Sequence, residues 1–534
     1  MKKAVILLIL ITMLIGLCTT GAYALDIVAN NDVYIVNGKI SDGAVRDFEE
    51  NDIKIITPIS EQYNKYTDYP HGYSLHYPNH MYIDVHLSEV RTVIFDEELQ
   101  IEIYYDDLNN TPATAWNYIY YSNEFINNKA DHIKEYEESY NKDGSRIHIL
   151  KWSRSKLARV GNDKNYYLCA EIFKNNKQVY TIFFKSTVPL EDAKCKEIIN
   201  SMKIIEKKGK AYTDRLPEYD VSRNWNDETK AFYEKYFVDS DKLTWGIFDD
   251  RVPDYLEYFT ETENKLNYKF ECVVRYQNLP SSQGIDAIKN ALEKAYNDGR
   301  YVELTLQTIR QTPEEGNIMY DILNGEYDVF FNEYAVMLRE FRHPVLFRLD
   351  NEMNGDWCLY SAYHTSKDTL IYKEVYKYIH KIFKDNNVDN VIWVWNPHDK
   401  SFPNFKWNDA LMYYPGDSYV DVVGLTGYNT GTYYQGEIWR GFTEIYDELY
   451  TLYDRLYNKP FMITEFSSSS IGGDKEAWIK EMFQNITRYE RIKAAIWWNG
   501  CDYDSHGNAA RIYRLDESIS MMKLFQDELQ KFRQ

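Results

Sequence analysis

The sequence predicts an α/β fold, a (β/α)8 TIM barrel preceded by a smaller α+β domain, and three features carry that prediction. From residue 243 onward, eight short runs rich in β-branched and aromatic residues follow one another within about 290 residues. Most are separated by amphipathic stretches with a helical period. No glycine-rich phosphate loop follows the first run, as an open doubly wound sheet would require. Eight strand-helix units of this length close into a barrel better than they extend into an open sheet.

The expected barrel strands are Leu243–Phe248, Phe270–Tyr276, Tyr301–Thr308, Val345–Leu349, Val391–Trp395, Val420–Leu425, Phe461–Thr464 and Ala494–Trp498. Between strands four and five, Ile371, Val375, Tyr378, Ile379 and Ile382 share one helical face in 366–384, with Thr365 or Ser366 placed to cap it. Ahead of the barrel, residues 25–206 alternate in the manner of strands. The runs are Tyr82–His86, Val93–Phe95, Leu99–Tyr105, Ile147–Trp152, Tyr166–Phe173 and Val179–Lys185. Helices are expected over roughly 114–138 and 190–202. Residues 207–240, opened by Glu206-Lys207-Lys208-Gly209-Lys210, read as a linker with a short helix, so the barrel domain is 241–534. The first 24 residues have the form of a signal peptide: Lys2 and Lys3, an apolar stretch from Val5 to Leu17, and Ala22-Tyr23-Ala24 before Leu25. A secreted or cell-surface location is expected, the leader being either cleaved or retained as an anchor.

Cys169, Cys195, Cys272, Cys358 and Cys501 are too few and too scattered for a disulfide framework. Pairing of Cys169 with Cys195 stays open beside buried free thiols. The net charge of -21 repels phosphate backbones, which argues against nucleic acid as a partner and leaves neutral glycans unaffected. Asp502-Tyr503-Asp504-Ser505-His506-Gly507 begins like a calcium loop, but Tyr513 stands where such loops need glutamate, so a polar loop after strand eight is expected. No metal and no cofactor is called for, and a monomer is expected.

In a (β/α)8 barrel the chemistry gathers at the C-terminal ends of the strands. Those ends carry Trp245 and Asp249, Gln307, Asn351-Glu352, Trp395-Asn396 and His398, Tyr428, Glu465, and Trp498. Glu352 and Glu465 stand out because each follows directly on an apolar run, where a carboxylate must be paired, hydrogen-bonded or functional. Strands four and seven face each other across the mouth, and can bring two carboxyls to the roughly 5–5.5 Å that a retaining glycosidase needs.

Here the sequence resembles a known group. Asn351-Glu352 and Glu465 look like the acid/base and nucleophile of the clan of retaining (β/α)8 glycoside hydrolases. Arg348, Glu352-Met353-Asn354-Gly355-Asp356-Trp357, Trp393-Val394-Trp395-Asn396-Pro397, Gly427-Tyr428-Asn429 and Ile463-Thr464-Glu465-Phe466 resemble glycoside hydrolase family 26 over about 243–515. The resemblance implies a secreted endo-acting hydrolase of a β-linked polysaccharide, a β-1,4-mannan first. Many members of that family carry His before the acid/base glutamate, whereas this chain has Asn351. Asparagine suits the sugar 2-hydroxyl, whose configuration is opposite in mannose and glucose.

Chemistry and resemblance together make Glu352 the acid/base, Glu465 the nucleophile and Tyr428 the group that orients it. Trp498 and Trp357 are sugar platforms, and Arg348 holds a carboxylate within the barrel. Asn351, Gln307, Trp245, Trp395 and Asn396 complete the expected substrate contacts. Two alternatives stay open: a β-glucan, β-xylan or exopolysaccharide substrate, and a carbohydrate-binding protein without turnover. Contact of the N-terminal domain with cell wall or glycan is a further possibility. The stretches Gly72-Tyr73-Ser74-Leu75-His76-Tyr77-Pro78 and Asn200-Ser201-Met202-Lys203-Ile204 faintly resemble the start and end of PsbP-like α/β sandwich domains.

Overall fold

A computed structural model describes residues 35–36, 53–213, 222–280, 284–310 and 315–532. The expected leader, 1–24, lies outside them. Two compact units result: one holds the described residues before 222 together with 405–411 and 415–418, the other the remainder.

The first unit contains two antiparallel sheets. The larger has eight strands in the order Ile35–Val36, Tyr82–Asp84, Thr92–Phe95, Leu99–Asp107, Gln178–Ser186, Tyr166–Asn175, Ser145–Ser153, Ile133–Lys142. The smaller runs Lys203–Ile204, Tyr73–Pro78, Tyr63–Asp68, Lys54–Pro58. Their apolar faces and one side of the helix Asp192–Ser201 meet in a core that includes Tyr66, Leu75, Ile101, Leu168, Phe184 and Ile198. The expected helix over 114–138 is corrected: it ends at Ser122, a single turn follows at Glu124–Asn127, and Ile133–Lys142 is the edge strand of the large sheet. Thr114 caps the true helix through a capping box with Asn117. Beyond it, Tyr136 and Tyr140 alternate toward the core while charged neighbours face outward, as an edge strand permits.

The second unit is the closed parallel barrel that the sequence predicts. Its strands, one to eight, are Thr244–Phe248, Cys272–Leu279, Tyr301–Thr308, Val345–Leu349, Val391–Trp395, Val422–Asn429, Phe461–Ser468 and Ile492–Trp498. Strands six and seven run further than expected and carry Tyr428 and Glu465 inside them. Alternate residues fill the interior: Val274, Leu346, Ile392, Val394, Met462 and Ile496 pack there. Phe232, Tyr236 and Phe237, from the helix Asp227–Tyr233 and the turn after it, join that interior core. The indole of Trp225 and the hydroxyl of Tyr233 donate to the carbonyls of Val391 and Asp421, at the starts of strands five and six. This short helix thus seals the end of the barrel opposite the strand C-termini. Between strands four and five the helix is Thr369–Asp385, and its cap is Asp368, which accepts from the Leu370 amide, rather than Thr365 or Ser366. The cysteines are free thiols among the described residues, Cys169 and Cys195 included. No helix among these residues is long and apolar enough to cross a membrane.

Candidate active site

The strand C-termini open into a cleft of about 1150 Å³ lined by Glu352, Glu465, Asn351, Gln307, Trp357, Tyr428 and Trp498. Arg348 lies beneath it, fully buried.

Glu465 is aimed by an irregularity in its strand. Leu425 pairs with Ile463 and Thr426 with Glu465, so strand seven carries one extra residue against strand six. That bulge resets the alternation and brings Glu465 into the interior after Met462. Its carboxylate meets Tyr428 Oη at 2.7 Å, Arg348 Nη1 at 2.6 Å and Asn351 Nδ2 at 3.3 Å, and the Tyr276 hydroxyl also hydrogen-bonds it. Gln307 Nε2 donates to Asn351 Oδ1 at 2.9 Å and so sets which end of the amide faces Glu465. Burial raises the Tyr428 hydroxyl well above its ordinary range, and the Glu465 charge adds to this, so it stays a donor.

Glu352 is delivered by a turn rather than a strand. Its φ is 57°, a left-handed conformation that costs a non-glycine residue about 1–3 kcal/mol and needs support from its surroundings. The support includes its amide, which donates to the Asn396 carbonyl at 2.7 Å. Its carboxyl accepts from the Trp357 indole at 3.2 Å, and His398 Nε2 stands 3.8 Å away. Asn354 locks the two loops together, accepting from the His398 amide at 2.8 Å and donating to its carbonyl at 3.0 Å. Burial pushes the Glu352 carboxyl up to about 7, with Glu465 adding to the rise while His398 and the indole oppose it. One carboxyl that holds a proton near neutrality therefore shares a cleft with one surrounded by donors. That division suits general acid and nucleophile work.

The walls are aromatic. Trp498 stacks on Phe248 at 5.1 Å, and Trp357, half-exposed, meets Phe402 at 5.4 Å. Two glycines make room for the indoles: a Cβ on Gly355 would lie 2.5 Å from the Trp357 ring, and one on Gly500 would overlap Trp498.

Three expected contacts are corrected. Trp245 and Trp395 are fully buried on the outer face of the barrel, because they sit one residue out of step with the inward positions Gly246 and Val394. Trp245 packs on Phe483 at 5.1 Å, and Trp395 on Tyr414 at 5.0 Å. Asn396 does point inward but lies below the cleft, where its Oδ1 accepts from Arg348 Nη1 at 3.1 Å and Thr426 Oγ1 at 3.2 Å.

Sequence reasoning missed two residues beneath Glu465. Tyr276 Oη accepts from Arg348 Nη2 at 2.9 Å. Glu303 Oε1 lies 2.6 Å from Arg348 Nε, which also donates to Thr305 Oγ1 at 2.8 Å. One guanidinium thus serves two buried carboxyls. Burial pushes Glu303 up to about 8; Arg348 opposes this and the Glu465 charge adds to it. A charge inside the apolar run Val302-Glu303-Leu304 was the signal available.

The sequence model of Glycosyl hydrolase family 26 matches residues 284–504. Endoglucanase H of Acetivibrio thermocellus is 30% identical over 258 residues, 48% of this chain and 27% of that protein. A mannan endo-1,4-beta-mannosidase of Bacillus subtilis is 33% identical over 228 residues, 38% of this chain and 57% of that protein. The match therefore spans roughly a quarter of the first relative and little more than half of the second. Among solved structures, the catalytic domain of a Bacillus sp. endo-beta-1,4-mannanase aligns over 60% of this chain and 93% of its own, with 17% identity and a TM-score of 0.44.

Proposed function

We propose that the protein is an endo-acting hydrolase of a β-linked polysaccharide, β-1,4-mannan first, working by double displacement, a reading that the match of residues 284–504 to glycosyl hydrolase family 26 supports. The reading is carried by one observation: in a single cleft, Glu352 holds its proton up to about 7 while Glu465 accepts from Tyr428, Arg348 and Asn351. Glu465 attacks the anomeric carbon as the bond to the leaving oxygen breaks, and Glu352 gives that oxygen its proton. Glu352, now a carboxylate, takes a proton from water, the hydroxide adds to the anomeric carbon, and Glu465 departs. Tyr428 and Arg348 keep Glu465 pointed at the sugar through both steps, and Trp498 and Trp357 offer ring faces to it.

A second reading, a β-glucan substrate, is favoured by Asn351 in place of the histidine common in the family, and by the relative named an endoglucanase. The test is incubation with a panel of β-mannan, β-glucan, β-xylan and bacterial exopolysaccharides, followed by mass analysis of the products. Oligosaccharides from β-mannan support the first reading, products from β-glucan alone the second, and binding without any product a carbohydrate-binding protein. The basic and apolar leader of 1–24 supports action outside the cell.

A further inference from the structure

The turn that carries Glu352 is held by a side chain that does not line the cleft. The chain turns left-handed twice in three residues, at Asp350 with φ 50° and at Glu352 with φ 57°. Aspartate and asparagine enter this region more readily than other residues that have a Cβ, and glutamate is not favoured there. Asp350 is completely buried. Its carboxyl accepts from the Thr308 amide at 2.7 Å and from Thr308 Oγ1 at 2.9 Å, and its own amide donates to the Leu306 carbonyl at 2.8 Å. The end of strand three is thereby tied to the turn after strand four. The next residue is fixed too: Gln307 donates to the Asn351 side chain at 2.9 Å, and the Tyr360 hydroxyl donates to the Asn351 carbonyl at 2.5 Å.

We propose that Asp350 is a positioning residue for the proton donor: through Thr308 it fixes the left-handed turn that aims Glu352 at the glycosidic oxygen. The proposal rests on Glu352 being the acid of the reaction proposed above. Without the carboxyl, the Thr308 amide loses its acceptor in a buried place, and nothing else ties Thr308 to the turn among the described contacts. Burial pushes the Asp350 carboxyl up to about 7, against the bonds from Thr308, so an amide in its place mimics much of its chemistry.

The experiment compares kcat/KM on two substrates in the full chain. One is the polysaccharide cleaved fastest in the panel, which needs a proton on its leaving oxygen. The other is the 2,4-dinitrophenyl glycoside of its disaccharide, which does not. Asp350→Ala should lose on the order of 10²-fold on the polysaccharide, the scale of a misplaced catalytic group, and far less on the aryl glycoside. Thr308→Val should show a weaker form of the same split. Asp350→Asn, which keeps the acceptor and tolerates the backbone, should stay close to the parent on both. Equal losses of Asp350→Ala on the two substrates, with Glu352→Ala showing the split, would overturn the proposal and leave Asp350 a merely structural residue. If Asp350→Ala does not fold, Thr308→Val decides: a fall on both substrates alike overturns it. Absence of the split in Glu352→Ala itself overturns the acid assignment, and the role of Asp350 with it.

Discussion

Each unit holds a cluster of buried carboxylates, and the two clusters treat them in opposite ways. In the first unit Glu102 meets two cations, Lys185 at 3.0 Å and Arg91 at 2.8 Å, and Lys54 lies 2.8 Å from Asp68. Burial alone would raise these carboxyls, but the cations outweigh it; Glu102 falls to about 2 and Asp68 well below the usual range. In the barrel, Arg348 is divided between Glu303 and Glu465, and His398 Nε2 stands 3.8 Å from Glu352. Burial therefore prevails, and Glu303 and Glu352 rise to about 8 and about 7. The ratio of cation to carboxylate separates a brace from a reactive site.

The comparison breaks most visibly at its two ends. Glu465→Ala should lower turnover on the order of 10⁴-fold or more, the range seen when a covalent nucleophile is removed. It should cost little stability, because it relieves a shared guanidinium. Glu102→Gln should do the reverse. Removing the charge shared by Lys185 and Arg91 should cost about 3–5 kcal/mol of unfolding free energy, as for other broken buried pairs, with turnover at permissive temperature unchanged. Denaturant melts and steady-state rates on the two variants check both. Loss of turnover in the Glu102 variant would contradict the division.

Arg348 sharpens the same point within the barrel. Arg348→Met should destabilise by about 3–5 kcal/mol, since it strands two buried carboxyls. Glu303→Gln alone should stay within about 1 kcal/mol of the parent, because a largely protonated carboxyl is replaced by a neutral isostere. Combined, the two should recover part of the Arg348 loss, a coupling that a double-mutant cycle reads directly.

Glu102 and Glu303 should also respond to pH with opposite slopes. Glu102 has a folded pKa near 2, below its ordinary 4.5, so its contribution is present above about 4.5 and is lost as pH falls through about 2. Glu303 has a folded pKa near 8, above 4.5, so its contribution is present below about 4.5 and is lost as pH rises through about 8. Melting curves across pH should show the first unit failing toward acid and the barrel weakening toward alkali. Turnover on polysaccharide should fall above pH about 7 as Glu352 loses its proton. A modest effect belongs to the walls: Trp498→Ala should raise KM about 10-fold, the worth of one stacked face at ~1.4 kcal/mol.

What the sequence revealed follows from the same physics. The barrel strands were legible because a strand buried on both faces is a continuous apolar run. That same burial erases the period of two, so the face of Trp245 or Trp395 could not be read from the run that contains it. Glu352 and Glu465 were legible as charges at the ends of such runs. Glu303 carried the same signal within an apolar run, away from any strand end, and Asp350 stands directly after strand four, where Asn351-Glu352 drew the attention. The edge strand Ile133–Lys142 passed for helix because its glutamates and lysine suit a helix surface equally well. Its alternation of Tyr136 and Tyr140 shows only against a core. The bulge that aims Glu465 depends on the register with strand six, and no feature of strand seven alone announces it.

The measurement that tests the central claim most directly is the anomeric form of the first product. If Glu465 attacks the sugar and Glu352 then activates water, two inversions restore the starting configuration. Proton NMR of hydrolysate recorded before mutarotation should show the β-anomer first, with the α-anomer growing in later. An initial α-anomer would mean a single displacement by water, and would contradict the role of Glu465 as nucleophile.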